Sequence, residues 1–455
     1  MNPRLARPAL TLIVLVYLAL ASLYAVRVPI WNAPDEPAHY NFVRSIAIDH
    51  RLPILEPGAY DQARLGQLTS THFPADQSVL GISYESHQPP LYYLIAAPVL
   101  LARPGADPRT QGVALRFVTV IIGALVVLAS YRLGRRIFPK SYGVPLAAAA
   151  FVAFVPQHLF MDAAIDNDAL AELLVCLTLI VLVEDLWEGG NPVNDWRAGL
   201  LVGLCILTKL VAAVSAPLVV LGFVGSATLA KDPAAARRRL PLRLVRAGAA
   251  AAVLSGWWLI RNLLIYGVKD PFGLRRHAEV VVGQPLTGKV SAKLIADMSL
   301  TAFHSFWGQF GWMGIPFADR TYDVLASFCV VVTLGVALFA ARLVREVRQP
   351  GEPRSITAGP TALPLVAPQY WALGLLLAET AFVLVGVVFY NLRYLQPQGR
   401  YLFPALPALA IFAVLGIGEL IRERYLGLVL FLTGAGLGWL CIFSLFSVIG
   451  PALGN

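Results

Sequence analysis

Long apolar runs separated by short polar loops set the pattern of this chain. A helix needs about 20 such residues to cross a bilayer core. About eleven runs qualify, at roughly 8–27, 111–131, 142–160, 167–186, 196–211, 213–230, 247–265, 322–341, 369–390, 401–421 and 425–447. Lys and Arg gather in RLGRRIFPK, KDPAAARRRLPLRLVR, RLVREVRQPGEPR and RER. Cytoplasmic loops collect these residues, so all four are predicted to lie inside, with Arg4 and Arg7 ahead of an uncleaved first span. The loop EDLWEGGNPVNDWR is assigned to the same side although it has no positive excess. Segments 28–110 and 266–320 then become two large outer loops, and the C-terminus is expected outside.

Two shorter patterns lie in the first outer loop. Ala38, Phe42 and Ile46, with Val43 and Ala47, share one face of a helix predicted to start near Pro37 and to lie flat on the bilayer. The stretch 89–102 is apolar but, at about 14 residues, short for a span. Counting it as one would also turn Arg132, Arg135, Arg136 and Lys140 outward, so it is read as a second juxtamembrane helix. In the second loop FHSFWGQFGWMGIPF suits an interfacial aromatic belt.

Composition agrees with this pattern. Of 455 residues 57% are hydrophobic and only 14% charged, against about 25% charged in soluble domains. The chain reads as an all-α, polytopic membrane protein forming a single domain over 1–455. Its net charge of +9 follows from the basic inner loops; the partner it implies is the lipid bilayer, and nucleic acid is not expected. Cys176, Cys205, Cys329 and Cys441 sit far apart within apolar runs, without metal or disulfide spacing, and read as packing residues.

With orientation fixed, polar residues gather on the outer side. The stretch WNAPDEPAHYNF follows the first span and puts Asp35 and Glu36 where membrane meets water, at the positive end of the predicted helix. On that side also lie His39, Arg44, His87, Gln88, His158, Asp162, Asp166, Asp168, Arg393 and Arg400. Arg116, Lys209 and Arg261 stand at the outer ends of spans, where a charge is costly unless it faces a cavity or a partner. Each could snorkel to headgroups, and Asp35 and Glu36 could simply cap a helix. Together, cations facing a carboxylate pair suit an anionic lipid-linked substrate, with a carboxylate able to take a proton from an acceptor hydroxyl. Glu379, in the middle of a span, has no assignable partner.

The motifs DEPAHY and HQPPLYYLIAAP resemble those of the GT-C membrane glycosyltransferases, in particular glycosyltransferase family 39, the protein-mannosyltransferase and aminoarabinose-transferase branch. AIDNDAL, LTKL, WWLIRNLLIYG, FWGQFGWMG and QGRYLFP are similar to a related bacterial membrane-protein family of unknown function. The likeness runs from about Trp31 to Pro404. It implies a GT-C-like fold with two juxtamembrane helices and an active site on the outer face of the cell (inner) membrane. The implied reaction moves a sugar from a polyprenyl-phosphate donor to an acceptor glycan, lipid or protein, with inversion and without metal or other cofactor. By motif match Asp35 is the base and Glu36 its neighbour; Lys209, Arg261 and Arg400 hold the donor phosphate, with His87 near the pair. His39, Arg44, Gln88, Arg116 and Asp166 complete the expected substrate site. No soluble C-terminal domain is expected, which leaves the acceptor unspecified.

Three other readings stay open at this stage. Asp35, Glu36, His39, Asp162, Asp166 and Asp168 could hold a divalent cation in a metal-dependent transferase. The chain could be a lipid-linked-sugar transporter or flippase, although no internal repeat is found. It could also be a silent scaffold on this fold.

The charge pattern predicts that a cysteine placed at position 135 resists an impermeant thiol reagent applied from outside, whereas one placed within 266–320 reacts. Outside labelling of position 135 overturns the orientation, and with it the surface reading of 89–102.

Overall fold

The computed structural model describes residues 3–348 and 365–454. The last part of the basic loop, 349–354, lies outside the described residues. All eleven predicted segments are helical: α1 (Pro3–Arg27), α5 (Pro108–Ile137), the pair α6 (Gly143–Phe154) and α7 (Pro156–Asp162), α8 (Asp168–Glu188), α9 (Pro192–Ile206), α10 (Ser215–Leu229), α11 (Pro233–Tyr266), α14 (Asp319–Arg348), α15 (Ala367–Asn391), α16 (Leu406–Leu420) and α17 (Glu423–Phe443). Among the described residues eight helical segments are long and apolar enough to cross a membrane, and the α6–α7 pair makes up to nine. The other two predicted spans fall outside that class. α8 carries Asp168, Glu172, Glu184 and Asp185, and α9 has only 15 residues.

The first loop holds α2 (Glu36–Ala47), α3 (Gln62–Ser70) and α4 (Leu91–Leu101). α2 and α4 match the two expected juxtamembrane helices in position, and α3 is an addition. The apolar face of α2 does not rest on lipid. Ala38, Phe42, Val43 and Ala47 are buried in protein, with the Phe42 ring stacked on Tyr93 of α4 at 3.7 Å and the Tyr40 hydroxyl donating to Gln111 of α5 at 2.6 Å. The second loop holds α12 (Leu274–Val280), α13 (Ala292–Trp307) and the two-residue strands β1 (Gln309–Phe310) and β2 (Ile315–Pro316). Its aromatic stretch is likewise core rather than a lipid belt: Trp307, Phe310 and Phe317 are buried, and the Trp312 indole donates to the Trp31 carbonyl at 2.9 Å.

α5 runs through the centre against α1, α6 and α8, while α9 packs on α11 and α14 on α16. Some of these approaches need glycine. A Cβ on Gly335 of α14 would stand 2.2 Å from the Gly416 carbonyl of α16, the close backbone contact that small residues allow between membrane helices. The chain breaks by 67° between α6 and α7. Pro156 lacks an N–H and biases Val155 away from helix, and Val155 is extended at φ −69°, ψ 118°.

The loop between α8 and α9 explains its missing positive charge. Its acids are neutralised by neighbours: Glu184 pairs with Arg132, Arg136 and Arg197, which places this loop at the same end of the bundle as RLGRR. Arg243 of α11 donates to Asp195 and Asp185, at 2.6 Å each, and to Ser226 at 2.7 Å, joining four helices. Arg243→Ala takes the only cation from buried Asp185 among the described residues and leaves Asp195 with Arg246 alone, at 3.3 Å, and is expected to cost about 3–5 kcal/mol. The check is thermal unfolding in detergent; an unchanged midpoint would show that the network carries no stability.

Candidate functional site

The adjacent carboxylates Asp35 and Glu36 part company. Glu36 is fully buried and receives four donors: Arg116 Nε and Nη2 at 2.6 and 2.7 Å, the Trp31 amide at 2.8 Å and the Ile165 amide at 3.2 Å. Those four fill the lone-pair sites of an ionised carboxylate. Arg116 spends its remaining donors on the carbonyls of Ala25, Val28 and Pro29. Glu36 and Arg116, expected in the catalytic and substrate-binding sets, thus form an internal clamp tying the first loop to α1, α5 and the 163–167 turn, with no free donor or acceptor for a substrate.

Asp35 does not cap α2: its side chain makes no capping hydrogen bond, and its backbone lies in the left-handed region at φ 67°. Oδ1 accepts from the Tyr84 hydroxyl at 2.8 Å and Oδ2 from Arg400 Nη2 at 2.6 Å. The side chain keeps 26% exposure, against 5% for Arg400. Arg400 reaches Asp35 because Gly399 seats against α13. A Cβ on Gly399 would lie 2.2 Å from the Ala302 carbonyl, and the Gly399 amide donates to Ser305 at 2.7 Å.

Arg400 also faces Asp166, at 3.5 Å. Asp166 stands 3.9 Å from Lys209 and 3.8 Å from His39, and Lys209 donates to Asp168. Two links hold Lys209 in place: the Leu91 amide donates to the Leu207 carbonyl at 2.9 Å, and the Asn167 side chain to the Thr208 carbonyl at 3.0 Å. Five predicted residues therefore converge, Asp35, His39, Asp166, Lys209 and Arg400, together with Asp168. His39 also meets the Tyr93 hydroxyl at 2.8 Å. Burial works against the Asp35 charge, but Arg400 beside it and the Tyr84 hydroxyl hold its carboxyl below the ordinary range. Asp166 moves the other way, pushed up by burial and then by Asp168.

The remaining predicted residues lie apart from this cluster. Arg44 pairs with Asp49 at 3.2 Å near the exposed end of α2. Arg261 donates to the Pro53 carbonyl at 2.7 Å and stacks over Trp258, so it holds the first loop onto α11. Gln88 donates to Glu85 at 2.8 Å. His87 is buried, its ring 4.6 Å from that of His277 on α12; burial pushes both imidazoles down to about 4. Asp162 joins Tyr17 at 2.7 Å and His158 at 3.5 Å instead of the carboxylates around Asp166. Among the described residues no three of His, Cys, Asp and Glu gather as a cation-holding set. Tyr84, Tyr93 and His277 are the contacts that sequence reasoning missed. Tyr84 stands in YESHQPP, three residues before the histidine that was singled out; His277 carries no local signal.

This division generates a test. Glu36→Gln breaks a sealed ion pair and is expected to cost about 3–5 kcal/mol, while Asp35→Asn, at a partly open position, costs clearly less. Equal losses of thermal stability in detergent would refute the separation of roles.

Residues 87–257 match the family model described as dolichyl-phosphate-mannose-protein mannosyltransferase. Among solved structures the chain is similar to the Archaeoglobus fulgidus oligosaccharyltransferase tethered with an acceptor peptide containing the NVT sequon, at 12% identity and a TM-score of 0.52, over 99% of this chain and 55% of that one. It is also similar to ArnT from Cupriavidus metallidurans bound to undecaprenyl phosphate, at 15% identity and a TM-score of 0.48, over 92% of this chain and 60% of that one. The chain thus spans little more than half the length of these structures. A search of curated proteins finds no match. The chain is a polytopic membrane protein with the fold of the GT-C superfamily of glycosyltransferases.

Proposed function

We propose that this protein is a membrane glycosyltransferase moving a sugar from a polyprenyl-phosphate donor to an acceptor on the outer face of the cell membrane, with inversion. The observation that carries the reading is the cluster itself: a partly open carboxylate, Asp35, beside two cations, Arg400 and Lys209, at the border of the bundle. The match of residues 87–257 to a dolichyl-phosphate-mannose family supports a lipid-phosphate donor.

In this mechanism the acceptor oxygen attacks the anomeric carbon as the bond from that carbon to the phosphate oxygen breaks. Asp35 takes the acceptor proton. The transition state is oxocarbenium-like, so charge builds on the departing phosphate, and Lys209 and Arg400 stabilise it more than the ground state. Lys209 keeps 21% side-chain exposure, which leaves an approach for the phosphate. Arg400, held between Asp35 and Asp166, couples the phosphate side of the site to the base. The two cations supply the positive charge without a metal ion. A divalent-cation reading has no such support, since Asp35, Asp166 and Asp168 are each paired with Arg400 or Lys209.

Incubation of membranes with radiolabelled polyprenyl-phosphate sugars is expected to give a labelled product whose class names the acceptor. Asp35→Asn should lower turnover by about 10²–10⁴, the scale of general-base loss, with donor binding little changed. Lys209→Ala should weaken donor use roughly ten- to a hundredfold, the scale of a lost charged hydrogen bond. Because Arg400 depresses the Asp35 carboxyl, the base stays ionised across neutral pH and activity falls only below the ordinary carboxylate range. Normal turnover in Asp35→Asn overturns its role; label that crosses the bilayer without forming a covalent product favours transport.

A further inference from the structure

At the end of the bundle away from Asp35 a groove of about 1110 Å³ opens between α1, α6 and α17. Its place in the bundle follows from α5. The start of α5 carries Arg116 against Glu36, and its 30 residues, at about 1.5 Å each, reach roughly 45 Å to the Lys140 loop. The walls are apolar, from Leu12 and Val16 through Ala147 to Gly434 and Gly438. The lining runs from Ala9 to Leu20 on α1 and from Gly143 to Phe154 on α6. Each stretch rises about 17 Å, close to one leaflet of a hydrocarbon core about 30 Å thick. Its lining reaches Phe154 at the α6–α7 break, where the Cys441 thiol donates to the Phe154 carbonyl at 3.2 Å.

The mouth is polar and carries both signs of charge. Lys140 and Glu423 line it together. Both are exposed, and among the described residues neither forms an ion pair with the other or with any other group. The Lys140 loop is fixed: Arg135 donates to the Ser141 carbonyl at 2.6 Å and stacks over Tyr142 at 4.0 Å, and Gln369 donates to the Ile137 carbonyl at 2.9 Å. An apolar channel of leaflet depth, with a cation and an anion at its rim that are unpaired among the described residues, matches a headgroup that bears a phosphate and an ammonium.

We propose that this groove binds one zwitterionic glycerophospholipid of the leaflet faced by the basic loops, with its chains along α1, α6 and α17, its phosphate at Lys140 and its ammonium at Glu423. The site is separate from the proposed sugar-transfer site and does not depend on that reading. Its chemistry is recognition without reaction: charge pairing at the rim and van der Waals packing of the chains along the walls.

The test uses the full chain in nanodiscs containing photoactivatable phosphatidylethanolamine or, separately, photoactivatable phosphatidylglycerol, which has the phosphate but no ammonium. Phosphatidylethanolamine is expected to crosslink to peptides of α1, α6 and α17, and phosphatidylglycerol at least several-fold less. Lys140→Gln and Glu423→Gln should each lower the phosphatidylethanolamine yield roughly tenfold, the scale of one charge-assisted hydrogen bond. Gly438→Leu should abolish it, because a Cβ there meets only the Phe154 ring, at 3.9 Å, so the added side chain fills the channel. The two surface variants keep the test decisive if the glycine variant misfolds. No crosslink in the groove, equal labelling by the two lipids, or unchanged yield in both charge variants overturns the proposal.

Discussion

The ion pair between Glu36 and Arg116 is the constraint on which the proposed active site rests. It is two-pronged and sealed from water, and the same guanidinium gathers the carbonyls that end the first membrane helix. A charge pair this deep gives little net stability compared with an apolar pair of the same shape, yet breaking it is costly. What it supplies here is position. It fixes the first turn of α2, so the preceding residue, Asp35, is pointed outward at Arg400 and Tyr84. One carboxylate is consumed in holding the other partly open.

The cluster around Asp35 is drawn from parts of the chain far apart in sequence: a loop after the first span, the turn between α7 and α8, the end of α9 and a turn after α15. Three of these are pinned by local devices: the Ile165 amide on Glu36, the carbonyls of Leu207 and Thr208, and the side-chain-free Gly399. Cations and carboxylates alternate across it, so each buried charge has an opposite neighbour. That alternation is what allows so many charges to stand close to a membrane.

Much of the fold was legible in the sequence because the membrane imposes a coarse rule, and helix positions follow from apolar length alone. The number of crossings was less so. α8 is apolar in outline but bears acids answered by arginines on other helices, and α9 is short. The site was legible as a set of residue types gathered on one side, and Asp35, His39, Asp166, Lys209 and Arg400 do come together. The roles within it were not. Asp35 and Glu36 are equivalent as letters, and only the direction in which the backbone turns each one, Asp35 left-handed ahead of α2 and Glu36 in its first turn, separates an open carboxylate from a saturated one. Arg116 and Arg261 looked like ligands for phosphate because each ends a span; both are in fact occupied by carbonyls of the first loop. The aromatic stretch of the second loop and the apolar face of α2 read in sequence as membrane-surface features, because a pattern shows what must leave water and not whether protein or lipid receives it.

The left-handed backbone at Asp35 has a consequence for how this position can change. A residue with a side chain is held there at a cost of order 1–3 kcal/mol, and glycine would be at ease. Chemistry and conformation therefore pull in opposite directions: the carboxylate is wanted for the Arg400 contact, while the main chain alone would choose glycine or asparagine. Giving up the carboxylate relieves the main chain but takes from the buried Arg400 guanidinium its nearest partner, at 2.6 Å, a loss that opposes the relief. The identity of this single residue is then set by the ion pair against the preference of the backbone.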